Sequence, residues 1–113
     1  MIDESRGMRP AVFQILLALA GRSLHGLGIA DEVERATDGG TELGPGTLYR
    51  SLKEMAGLGL IEEAEAPEST SDPRRKYYAI TPRGRVLLGE AARRMERLVE
   101  LARRRSVLRE GGV

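Results

Sequence analysis

The sequence predicts a mainly α fold that carries one small β-hairpin, and three observations predict it. Apolar residues recur at helical spacing in three short segments between Pro10 and Gly59. Two brief runs, Leu60 to Ala66 and Arg75 to Thr81, break that period, and the second holds the strand-favouring pair Tyr77 and Tyr78. From Thr81 a long segment then resumes the helical spacing.

The first segment, PAVFQILLALA from Pro10 to Ala20, opens with a proline suited to a first helical turn and ends at Gly21. It is apolar on nearly every face, so this helix belongs at the centre of the fold or is covered on a second side by another chain. Ser23 is placed to cap a second helix, in which Leu27, Ala30, Val33 and Ala36 or Thr37 form the apolar stripe before Asp38-Gly39-Gly40 ends it.

Gly44-Pro45 precedes TLYRSLKEMAGLG, where Leu48, Leu52 and Met55 share one face while Thr47, Arg50 and Glu54 lie roughly opposite, at ~100° per residue. Three short helices joined by tight, glycine-bearing turns form a helix-turn-helix, whose last helix is buried on one side and bare on the other. The two strand-like runs after it flank PESTSDPR and read as a two-stranded hairpin with a long mobile tip, its prolines outside the paired stretch. A hairpin in that position is a wing.

Thr81 and Pro82 suit the N-cap and first position of a long helix. Along it Leu88, Ala91, Met95, Leu98 and Ala102 recur at three and four, flanked by alternating arginines and glutamates that read as a solvated or intersubunit ion-pair face. This seam covers about two heptads, too short for a free coiled coil, and is expected to pack on the first helix of a second copy. The chain accordingly divides into a winged helix-turn-helix over residues 1–81 and a dimerisation helix with a frayed tail over 82–113.

Composition narrows the chemistry. The 113 residues are 41% hydrophobic and 31% charged, which suits one core, and the net charge of +1 excludes a polycationic nonspecific binder. Charge is unevenly spread: residues 1–66 sum to −5 and residues 67–113 to +6. With no cysteine and one histidine, thiol nucleophiles, disulfides and cysteine or histidine metal sites are not expected, and no phosphate-binding glycine loop or nucleophile motif is present. An enzyme is not predicted, nor a cofactor. No run reaches the roughly 18 apolar residues of a membrane span, and no apolar signal core stands at the start, so a cytoplasmic protein is expected.

Four ordered blocks of sequence carry a family resemblance. They are Leu24-His25-Gly26, then Leu43-Gly44-Pro45-Gly46-Thr47-Leu48-Tyr49, then Leu58-Gly59-Leu60-Ile61-Glu62, then Lys76-Tyr77-Tyr78 with Ile80-Thr81-Pro82-Arg83-Gly84. In these the chain resembles the PadR family of winged-helix regulators, and its length resembles the branch with a single C-terminal helix. The resemblance implies a homodimeric, ligand-responsive transcriptional repressor that binds double-stranded DNA at an inverted-repeat operator. It implies a third helix in the major groove, wings on the flanking backbone and a final helix that makes the dimer. Two departures stand out: Leu27 occupies a position that is often aromatic in the family, and the chain has no tryptophan to stack flat aromatic drugs between its dimer helices.

The candidate DNA-binding residues follow from both lines. Arg50 can pair with guanine in bidentate fashion, and Thr47 and Lys53 suit phosphates. Tyr49 can pack inward and still offer its hydroxyl to a phosphate. Glu54 on the same face either accepts from cytosine or repels phosphate. Arg74, Arg75 and Lys76 make the densest cationic cluster beside the expected DNA face. His25, at the start of the second helix, is read as a cap or phosphate contact rather than a pH switch. The candidate dimer interface comprises Phe13, Leu16, Leu88, Met95, Leu98 and Ala102, with a small-molecule inducer expected in a cavity near Met95 and Phe13. A winged-helix protein-interaction module without DNA binding stays open as the alternative.

Overall fold

The computed structural model describes residues 7–67, 72 and 74–109. In chain order they form α1 (Pro10–Gly21), β1 (Leu24–His25), α2 (Gly26–Ala36), α3 (Pro45–Gly57), β2 (Ile61–Ala64), β3 (Tyr77–Ile80) and α4 (Pro82–Arg104). The expected winged helix-turn-helix with a long C-terminal helix is therefore present. Most of the expected hairpin tip and the residues after Arg109 lie outside the described set.

Helix α1 is the centre of the molecule. Ile15, Leu16 and Leu19 are almost wholly buried, and they meet Ile29 and Val33 of α2, Leu48, Leu52 and Met55 of α3, and Leu88 of α4 in one core. An all-round apolar helix can be buried only by neighbours on several sides, which is what α2, α3, β3 and α4 supply. Among the described residues no helix is long and apolar enough to cross a membrane.

The sheet departs from the expected two-stranded hairpin. It has three antiparallel strands in the order β1-β3-β2. Ile61 pairs with Ile80 and Ala64 with Tyr77 across the hairpin, while Leu24 and His25 pair with Tyr78 and Tyr77 on the other edge of β3. That third strand ties the start of α2 to the wing. It also moves the cap of α2: the His25 side chain, not that of Ser23, accepts the Gly28 amide hydrogen at the helix start.

The start of α4 follows the sequence reading closely. Thr81 is its N-cap, with Oγ1 accepting from the Gly84 amide at 3.0 Å and donating to the Gly59 carbonyl at 2.6 Å, and Pro82 occupies the first turn. Only Gly84, Leu88 and Ala91 of this 23-residue helix are buried, so its second half leaves the core. Met95 is 44% and Leu98 66% exposed.

Candidate nucleic-acid interface

Helix α3 has the two-sided form a reading helix needs. Leu48, Ser51, Leu52 and Met55 are buried, while Thr47, Tyr49, Arg50, Lys53 and Glu54 are exposed. Gly44-Pro45 sets its start, the proline lying in the first turn where its missing N–H costs nothing. At the other end Gly59, with φ of +75°, allows the tight turn into β2 that a side chain would oppose.

Beside one flank of α3 lies an open cleft of about 430 Å³, lined by His25, Gly26 and Leu27 at the start of α2, Tyr49 of α3, Arg74, Arg75 and Lys76 of the wing, and Tyr78. Residues from four parts of the chain thus converge, and five of the eight sequence candidates are among them. Thr47, Arg50 and Lys53 do not line the cleft; they lie along the exposed side of α3. Tyr49 packs its hydroxyl against Gly26, where an added Cβ would come within 2.7 Å of it. Gly26 therefore lets α2 and α3 approach closely enough to close one wall.

The histidine is held from three directions. Its ring meets Tyr77 edge to face at 5.3 Å between centroids, as expected of directly opposed residues in an antiparallel pair. Nδ1 accepts the Gly28 N–H at 3.2 Å, and the other ring nitrogen, Nε2, faces the wing. Arg75 Nη1 lies 3.3 Å from that Nε2. The ring tautomer decides which atom donates in that contact, and the Arg75 guanidinium, which only donates, keeps further N–H groups for an anion. A phosphate is such an anion.

The other wing cations are oriented differently. Arg74 is folded back on Asp72, whose Oδ1 accepts from the Arg74 amide at 2.9 Å and lies 3.4 Å from its Nε. On the opposite flank of α3, Glu54 is paired with Arg9 at 2.8 Å. Tyr78 and Arg9 were not among the sequence candidates. Alternation along a strand says that one of two adjacent tyrosines turns to the core but not which, and Arg9 is 45 residues from its partner.

The candidate dimer residues fall into two groups. Phe13 is half-buried, Met95 and Leu98 are exposed and Ala102 is partly exposed. Leu16 and Leu88 are corrected: both lie in the chain's own core and have almost no surface to offer a partner. Helical spacing finds an apolar stripe without telling one filled from within the chain from one filled by a partner, as Leu88 shows, and α1 is too uniformly apolar for phase to separate its inner stripe from its outer one. A groove of about 320 Å³ between α1, α2 and α4 is lined in part by Phe13, Leu17 and Met95. Beside it the Gln14 Oε1 is buried without a hydrogen-bond partner among the described residues. Among the described residues no cluster of side chains could hold a metal ion.

Residues 15–90 match the transcriptional regulator PadR-like family. An uncharacterized 37.1 kDa protein in transposon TN4556 of Streptomyces fradiae is 36% identical over 84 residues, which is 74% of this chain. The chain spans only 22% of that relative's length. Among solved structures, a PadR family transcription regulator from Clostridium difficile R20291 is 27% identical, with a TM-score of 0.66 over 86% of this chain and 97% of the other. Bacillus subtilis PadR in complex with operator DNA shares the fold at 22% identity, with a TM-score of 0.62 over 73% of this chain and 46% of the other.

Proposed function

The chain belongs to the PadR-like family of transcriptional regulators, and from that premise we propose that it is a DNA-binding repressor that acts as a homodimer and answers to a small molecule. The observation that carries DNA binding is the cationic cleft that gathers His25, Tyr49, Arg74, Arg75 and Lys76 beside the exposed side of α3. With α3 in the major groove, that cleft meets the sugar-phosphate backbone. Arg75 and His25 then share a phosphate, Lys76 and Tyr49 add contacts, and Arg50 reaches base edges while Thr47 and Lys53 steady the helix. The Bacillus subtilis relative, solved with operator DNA, supports this reading.

Residues 1–81 perform recognition and 82–113 perform pairing in this proposal. The exposed seam of α4 at Met95, Leu98 and Ala102 is what a second copy covers, together with the outer side of α1 at Phe13 and Leu17. The groove beside Phe13 suits an apolar inducer. Thermal-shift screening with apolar amides and alcohols should find stabilising compounds whose effect is lost in Phe13→Ala; compounds that act equally on both proteins would place the site elsewhere.

The direct test of DNA binding is a salt titration of affinity for a labelled 30-bp mixed-sequence duplex. The logarithm of affinity should fall with the logarithm of salt at about −0.9 per neutralised phosphate, and the double substitution Arg75→Ala with Lys76→Ala should lower that slope by about two phosphates. A chain that binds no duplex at low salt is instead the protein-interaction module.

A further inference from the structure

The pair Arg9–Glu54 lies outside the cleft just described. Glu54 stands on α3 four residues after Arg50, about 40° around the helix from it, and so on the side that faces a groove. A carboxylate there opposes a polyanion. Arg9, the residue before α1, reaches across 45 positions of sequence and places Nη2 2.8 Å from Glu54 Oε2. Its backbone is pinned where it caps the helix, with the carbonyl accepting from the Phe13 amide at 3.1 Å, so the reach starts from a fixed point.

We propose that Arg9 is a positioning residue of the DNA interface that neutralises Glu54 on α3 and thereby lets the helix approach a polyanionic groove. This rests on the reading of α3 as the DNA-reading helix. The two side chains are 55% and 49% exposed in the free protein. A pair so well hydrated adds little to folding. Docking against DNA removes water from both groups and lowers the local dielectric, so the pair strengthens there, and an unpaired Glu54 would be repelled most at the same moment. The effect therefore belongs to binding rather than to stability.

The experiment is a double-mutant cycle on affinity for the 30-bp mixed-sequence duplex, using Arg9→Ala, Glu54→Gln and both together, with thermal melting alongside. Arg9→Ala should weaken binding about fivefold in the natural background and less than twofold when Glu54→Gln is present. Its melting temperature should stay within about 2 °C of the natural protein. Equal costs in both backgrounds, or no cost in either, would overturn the proposal, as would a loss of stability that accounts for the weakening. If the natural chain binds no duplex, the DNA-binding reading itself fails first, before any variant is compared.

Discussion

At Gly84 a Cβ would fall on the carbonyl oxygen of Leu60 and stand 2.9 Å from the Ile80 side chain. The Leu60 carbonyl is held in place, because it also accepts the Thr81 amide at 3.0 Å. Gly84→Ala should therefore destabilise the fold by about 2 kcal/mol or more, measured by urea denaturation; a change below about 0.5 kcal/mol would show that the helix can shift away from the wing. At His25 the cap of α2 and the proposed phosphate contact can be separated. Asparagine is a good N-cap and can still accept from Gly28, but it lacks the ring nitrogen that faces Arg75. His25→Asn should keep the melting temperature within about 2 °C and bind the duplex about three- to tenfold more weakly, whereas His25→Ala should lose both. Equal duplex affinity of His25→Asn and the natural protein would remove the imidazole from the interface.

Among the elements, α4 carries the sharpest expectation. Its buried half, Gly84 to Ala91, anchors it to α1, and its exposed half presents Leu98 to solvent. Leu98→Glu should leave the monomer fold intact, because the side chain touches no core, and should convert a dimer into monomers by light scattering at micromolar concentration. An unchanged mass would exclude this face as the interface. The helices were legible because each repeats its apolar spacing over three or more turns, and α3 and α4 also announce themselves with Gly44-Pro45 and Thr81-Pro82. The strand β1 was not, because two residues carry no period; it exists only through pairing with β3. That same pairing is what brings His25 to Arg75, 50 positions away, so His25 and Arg75 could each be named from sequence while their meeting could not. Leu16 and Leu88 failed for a related reason: spacing finds an apolar stripe without saying whether it is filled from within the chain or by another.

For the whole molecule, the net charge of +1 conceals an acidic first half and a basic second half. The cations that line the cleft, Arg74 to Lys76, come from the second half, while Asp31, Glu34 and Asp38, with Arg35 among them, line a separate depression at the end of α2. A molecule so divided gains little from general attraction and must dock one face, so its affinity should depend on orientation as well as on salt. If two copies pair through α4, a two-fold axis relates their α3 helices. Each half of the DNA site must then be the inverted repeat of the other, with centres about one helical turn apart, ~10 bp, or a whole multiple of it. Hydroxyl-radical footprinting on the DNA upstream of the chain's own gene should show two protected patches related by that symmetry. Inserting about 5 bp between them should weaken binding at least tenfold, because it turns one half-site to the far side of the duplex, while about 10 bp should restore part of the loss. A single asymmetric patch, or indifference to the 5-bp insertion, would mean that each copy binds alone and that α4 serves some other contact.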